Sequence, residues 1–204
     1  MQMNMEEVTM NNKFNIVDVL LLDHKYLKEC IKVLKDDNED RKIKLRIAKS
    51  FLDAVSKHSI AEKRSVYAPL IKVKDLRKNI IEGEIEHGIV DAKVKMLSAK
   101  LTGLRALGEE LEIEMKVVAE LLERHLKEEE EEMFPKMRKD LDKIILNEMG
   151  FQFMKLRSFS EKDLRYYPNL QKEVTELKKL GHKISGNFIA RVQKHVTPAG
   201  HHAE

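Results

Sequence analysis

The sequence predicts an all-α protein: an up-down-up-down four-helix bundle with a C-terminal helical extension. Three observations lead there. Charged residues make up 36% of the 204 residues, with 8 glycines, 4 prolines and no tryptophan, a composition that suits solvated helices. Apolar residues recur at three- and four-residue steps through four long segments joined by short links. No segment alternates with period two long enough to suggest a sheet.

Residues 1–14 are polar and expected to fray. The first helix runs from Ile16 to about Asp36 (IVDVLLLDHKYLKECIKVLKD) and ends in Asp36-Asp37-Asn38. The second spans about Asp40 to Val66, where the YAPL segment bends or ends it, because proline removes a donor and restricts its predecessor. The third spans about Asp75, a candidate N-cap, to Leu101, and Gly103 and Gly108 border the next link. The fourth spans about Glu109 to Met133 and is stopped by Phe134-Pro135. A short helix from about Met137 to Leu156, a loop containing SFSEKDLRYYPN and a last helix from about Leu170 to Lys194 complete the chain. In that last helix Val174, Leu177, Gly181, Ile184, Phe188 and Val192 share a stripe suited to packing on the bundle or on a second copy. The expected organisation is a bundle domain over residues 14–140, an extension over 141–196 and a flexible tail over 197–204.

Lys and Arg (38) nearly balance Asp and Glu (35) for a net charge of +3, so charge points to no nucleic-acid partner. The single cysteine, Cys30, excludes an internal disulfide and reads as a small packed group in a reducing compartment. No signal-like leader and no long apolar run occur, so the expectation is a cytoplasmic protein without a membrane partner.

The histidines carry the functional signal. The first helix places Leu20, His24, Leu27 and Ile31 on its apolar stripe; the second places Phe51, Val55, His58 and Glu62. The third places Ile80, Gly83, His87, Val90, Val94 and Leu97, and the fourth places Val118, Leu122, His125, Glu129 and Met133. A stripe covers about a third of a helix's circumference, so four independent histidines would all land on it at a rate of roughly one per cent. Buried carboxylates and imidazoles are costly unless a charge neutralises them, and a metal ion does so directly. Residues four apart lie on one helix face, so each HxxxE pair can bind one ion or straddle two. Two such pairs on facing helices supply two glutamates able to bridge metals roughly 3.5 to 4 Å apart, with His24 and His87 as terminal nitrogens. Imidazole with carboxylate suits iron or manganese, with zinc less favoured, and the composition excludes a thiolate site.

These segments, LLDHKYL around His24, HSIAEKRSVYAP with His58 and Glu62, EIEHGIV around His87 and HLKEEEEEMFP with His125 and Glu129, resemble a hemerythrin-like HHE cation-binding domain over roughly residues 14–140. The resemblance implies a four-helix bundle holding a non-haem, carboxylate-bridged di-iron centre, oxo- or hydroxo-bridged. Its functions are oxygen binding or sensing, iron handling, or a response to nitric oxide and peroxide. The implied metal ligands are His24, His58, Glu62, His87, His125 and Glu129, and the implied partners are the small molecules O2, NO or peroxide. The C-terminal helix would supply any contact with a protein partner or a second copy.

Oxygen-carrying hemerythrins have two histidines four apart on the third helix, whereas here His87 is preceded at that distance by Gly83 and followed by Asp91. Glu84, Glu86, Asp91 or water are the candidates to replace the missing nitrogen. An oxygen-rich set stabilises oxidised metal, so sensing, scavenging or iron handling is expected rather than reversible carriage. The carriers' spacing would use Glu130, while the helical stripe favours Glu129; Glu128, Glu131 and Glu132 are expected in solvent. Asp23 is a candidate to stand behind a metal ligand, with a solvent-facing position the favoured expectation; Tyr26 and Tyr67 are candidates to lie near the site and donate to bound oxygen species, with packing the favoured expectation. Whether the chain turns over a substrate is open. The alternatives are an iron-responsive regulatory or iron-handling module without turnover, and a metal-free helical interaction protein.

Overall fold

The computed structural model describes residues 15–158 together with Ile189, Val192 and Gln193. The bundle helices are α1 (Ile16–Lys35), α2 (Arg41–Glu62), α3 (Arg77–Lys100) and α4 (Glu109–Glu128). They are followed by α5 (Phe134–Asp140) and α6 (Lys143–Arg157). No strand occurs among the described residues. The helices begin where local chemistry satisfies their free N–H groups. The side chain of Asn15 accepts from the Val17 N–H, that of Asp40 from Lys42 and Ile43, and that of Asp142 from Ile145. Glu109, Glu110 and Glu112 place negative charge in the first turn of α4, where the helix dipole favours it. Asp75 is not the cap of α3. That helix opens at Leu76, which lacks a side-chain cap and is instead anchored by complete burial.

Each of α1 and α3 packs against α2 and α4, closing a four-helix ring. Ion pairs set the register. Arg138–Asp18, Lys28–Glu130, Lys35–Glu123 and Lys116–Asp37 ascend α1 while descending the α4–α5 strand of the bundle, which fixes the two as antiparallel. Exposed pairs of this kind add little stability singly; their value here is alignment. α6 lies outside the ring, packed against both α1 and α2, and buries Ile145, Leu146, Met149 and Phe153 there.

α2 and α4 end in the same way. Each runs into one π-helical turn, Lys63–Tyr67 and Glu129–Met133, in which the N–H of Ala68 reaches the Lys63 carbonyl and that of Phe134 reaches Glu129. A short α-helical piece follows each, with Pro69 or Pro135 in its first turn. Proline has no N–H, and its ring crowds the carbonyl four residues back, so the ladder widens before it. Pro135 therefore does not stop the chain at Met133, as the sequence suggested. In a first turn its missing donor costs nothing, and the helix continues to Asp140. The break comes at Leu141, whose backbone is extended (φ −109°, ψ 139°), so the single helix expected from about Met137 to Leu156 is divided between the end of α5 and nearly the whole of α6. Of the expected final helix only Ile189, Val192 and Gln193 are described; all three are helical, and Val192 is buried. Its remaining stripe, the SFSEKDLRYYPN segment beyond Ser158 and the tail lie outside the described residues.

Candidate metal centre

The four core histidines meet at one level of the bundle. His24 on α1 and His58 on α2 have ring centroids 5.2 Å apart, and His87 on α3 and His125 on α4 are 4.6 Å apart. All four are buried, as are Glu62, one turn further along α2, and Glu129, which opens the π turn one turn beyond His125. Glu62 Oε2 lies 3.2 Å from His58 Nε2 and 3.4 Å from His87 Nε2. Glu129 Oε2 lies 3.5 Å from both His24 Nε2 and His125 Nε2. Each carboxylate thus faces the imidazole of its own helix and one from another helix.

The outward nitrogens of His24, His58 and His125 are held by a repeated device, an imidazole, a carboxylate and a cation in series, while His87 Nδ1 is buried without a hydrogen-bond partner. His24 Nδ1 meets Glu130 Oε1 at 3.0 Å, and Lys28 reaches the other oxygen of Glu130 at 2.6 Å. His125 Nδ1 meets Glu86 Oε2 at 2.8 Å, and Arg124 meets Glu86 Oε1 at 3.0 Å. His58 Nδ1 meets Asp23 Oδ2 at 3.0 Å, and Arg157 grips both oxygens of Asp23, at 2.7 and 3.0 Å. A carboxylate partner keeps a proton on Nδ1 and turns Nε2, the nitrogen a metal would take, toward the centre. Asp23 is therefore a correction: it is fully buried behind His58 rather than solvent-facing. Its carboxylate looked solvent-bound because its cation is 134 residues away in the chain.

Tyr67 takes the less favoured of its two expected roles, a donor beside the site instead of plain packing. The π turn after Glu62 carries it inward, where its hydroxyl donates to Glu129 Oε1 at 2.5 Å. Gly83, four residues before His87, makes room: a Cβ there would stand 2.5 Å from the Tyr67 oxygen. Of the candidates for the missing nitrogen, Glu86 serves His125 from outside, Asp91 is exposed on α3, and Glu84 is half-buried outside the cluster. Glu130 likewise supports His24 rather than facing the centre, and Glu128, Glu131 and Glu132 are exposed. Between α3 and α4 a cleft of about 400 Å³, lined by Gly83, Glu86, Arg124, His125, Glu129 and Glu132 among others, leads from solvent to the edge of the cluster.

Burial lowers the pKa of His24 and brings that of His87 down to about 3, leaving both imidazoles neutral at pH 7. For His58 burial is outweighed by Glu62 and Asp23, which push it up to about 10. Glu62 is held down because the attraction of His58 outweighs its burial. Burial, reinforced by the negative charge of Glu62, pushes Glu129 up to about 7. The metal-free cluster therefore holds protons on His58 and, near neutrality, on part of Glu129.

The donor set fits a metal. His24 Nε2, His58 Nε2, both oxygens of Glu62 and Glu129 Oε2 are buried without a hydrogen-bond partner, and each such atom costs about 1 to 3 kcal/mol when left so. These atoms converge rather than scatter. One ligand atom from each of His24, His58, Glu62 and Glu129, and one from each of Glu62, His87 and His125, come within 4.8 Å of one another. The Hemerythrin HHE cation binding domain model matches residues 15–137, well over half of the chain. The chain belongs to the hemerythrin HHE family. Comparison with curated proteins and with solved structures finds no significant match. The HHE match ends before α6, so Arg157, which completes the third support of this HHE centre, lies outside the residues that define the family. No helix among the described residues is long and apolar enough to cross a membrane.

Proposed function

We propose that the chain holds a carboxylate-bridged pair of non-haem irons and uses it to bind, sense or scavenge O2, NO or peroxide. His24 and His58 would serve one metal and His87 and His125 the other, with Glu62 and Glu129 shared. The observation that carries this reading is the position of the two Oε2 atoms, each within 3.5 Å of imidazoles from two different helices. A mononuclear site has no use for two such shared carboxylates, and mixed imidazole and carboxylate donors favour iron or manganese over softer metals.

Such a pair, when bound, supplies one- and two-electron chemistry toward small oxidants. The chain's own residues supply the rest. Tyr67 presents a buried proton donor beside Glu129. The apolar walls of Leu27, Val55, Val90 and Leu122 keep bulk water out. The cleft ending at His125 and Glu129 suits a small molecule and offers few groups that would specify a large one. Among the described residues the set holds one imidazole fewer than the oxygen carriers have, with no carboxylate in its place, which supports sensing or scavenging over reversible oxygen carriage.

A second reading, an iron-responsive module without turnover, is favoured by the tie between His58 and α6 through Asp23 and Arg157. Metal analysis of the purified protein, with absorption spectra before and after reduction, tests the shared premise. About two irons per chain, with near-ultraviolet bands lost on reduction, is the expected result. No metal after anaerobic reconstitution with ferrous iron would refute both readings. Catalytic loss of peroxide or of NO then separates the first reading from the second.

A further inference from the structure

The three imidazole–carboxylate–cation series differ in one respect. In two of them the cation stands in solvent on the family's own helices, Lys28 with 39% and Arg124 with 60% of its side chain exposed. In the third, Arg157 and Asp23 are both fully buried, and the cation comes from the last residue of α6. Arginine only donates, and Asp23 Oδ2 accepts from Arg157 Nε while also facing His58 Nδ1. An ionised carboxylate accepts only, so His58 must be the donor in that contact, with its proton on Nδ1. α6 touches the same imidazole a second time, with the Phe153 ring 5.8 Å from that of His58.

We propose that Arg157 is a positioning residue for the metal centre: through Asp23 it fixes the tautomer and the aim of His58, so that the helix beyond the HHE domain sets the affinity of the His24–His58 metal. The proposal rests on the metal-binding reading given above. Without Arg157 the two guanidinium contacts that aim the Asp23 carboxylate at His58 are gone, and the carboxylate is free to turn from His58. That loosens the acceptor that holds Nδ1–H. Supports of this kind change metal affinity by about ten- to hundredfold when removed. Lysine cannot reproduce the paired N–H contacts that the guanidinium makes with both carboxylate oxygens.

The test is an anaerobic ferrous-iron titration against a competing chelator, on the full chain and on the variants Arg157→Leu, Arg157→Lys and Leu146→Ala. Leu146 is buried in the same helix, and its truncation destabilises α6 without touching Asp23. The expected result is two metals bound by the wild-type protein, one of them weakened about ten- to hundredfold in Arg157→Leu and weakened less in Arg157→Lys. Leu146→Ala should keep both affinities despite a lower Tm. If Arg157→Leu binds both metals as the wild type does, or if Leu146→Ala weakens binding equally, the positioning role is overturned. Should Arg157→Leu not fold, Arg157→Lys decides: unchanged affinity at both metals overturns the proposal. A wild-type chain that binds no iron would instead refute the metal-binding reading, which separates the two failures.

Discussion

Replacing Tyr67 with phenylalanine removes one oxygen atom from the interior and leaves the ring in place. Tyr67 is fully buried, and its hydroxyl donates to Glu129 Oε1 at 2.5 Å. A hydrogen bond to a charged partner is worth about 1.5 to 3 kcal/mol and one to a neutral partner about 1 kcal/mol. Which value applies depends on Glu129, whose carboxyl is pushed by burial up to about 7, while the Tyr67 hydroxyl pulls the other way. A carboxyl raised in this way costs stability as pH climbs from its ordinary value of 4.5 through about 7, and losing the donor makes that cost larger. In the metal-free protein Tyr67→Phe should therefore cost about 1 kcal/mol at pH 5.5 and about 2 to 3 kcal/mol at pH 8.5. For a domain of this size the larger loss lowers Tm by roughly 4 to 12 °C. The assay is thermal or urea unfolding of chelator-treated protein, followed by far-ultraviolet circular dichroism at both pH values. An equal loss at the two pH values, or a gain at pH 8.5, would refute the coupling of the phenol to an ionising Glu129.

Two helical glycines give a matched pair. Gly83→Ala drives a Cβ to 2.5 Å from the Tyr67 oxygen, while Gly88→Ala meets nothing within 4 Å. Unfolding should show the first destabilised by about 1 to 2 kcal/mol net of helix propensity, and the second stabilised by up to about 1 kcal/mol. Metal loading should release on the order of two protons at pH 6 to 7, from His58 and from part of Glu129 or His125. Calorimetry in buffers of different ionisation enthalpy reads this directly, and affinity should rise with pH over that range. In the chelated protein the stabilisation from charged His58 is complete below its ordinary value of 6.5 and is lost as pH climbs through about 10, so denaturant midpoints should fall between pH 8 and pH 10.5. Double replacement of His58 and His125 with leucine should abolish iron binding. A metal-free interaction protein would bind no iron before the change either, and would be stabilised by the removal of two buried polar groups.

Period and spacing sufficed for the bundle and for the meeting of the six inward residues. A histidine on an apolar stripe can point only at the core, and four stripes closing into a ring share one core. Glu129 was separable from Glu130 on the same ground, since one residue's rotation takes Glu130 to the far side of His24. The supports were less legible. Asp23 and Glu86 stand one residue before a core histidine on their own helices, a position that periodicity assigns to the solvent side. What brings each to an imidazole is a neighbouring helix, contributing His58 or His125, and nothing in a linear pattern encodes that pairing. Arg157 was out of reach because its partner lies on α1. Tyr67 beside the site was ranked below plain packing because a uniform helical count from Glu62 does not anticipate a π turn. Its signal was present in the proline two residues later, beside an HxxxE pair that the fourth helix repeats.

Those two π turns divide each HxxxE helix into two angular frames. Up to Glu62 or Glu129 the side chains keep the phase of the histidine stripe; after the turn the chain is offset, and Tyr67 in one helix and Phe134 in the other, each five residues after its glutamate, arrive inside at angles the stripe would not give them. The motif that carries the candidate ligands is thereby uncoupled from the segment that furnishes their surroundings. Substitutions beyond the turn can change what stands beside Glu129, a phenol, a thioether or an aromatic ring, without rotating the histidine and glutamate themselves. One scaffold can in this way keep a constant set of inward donors while the polarity around them drifts from one chain to the next.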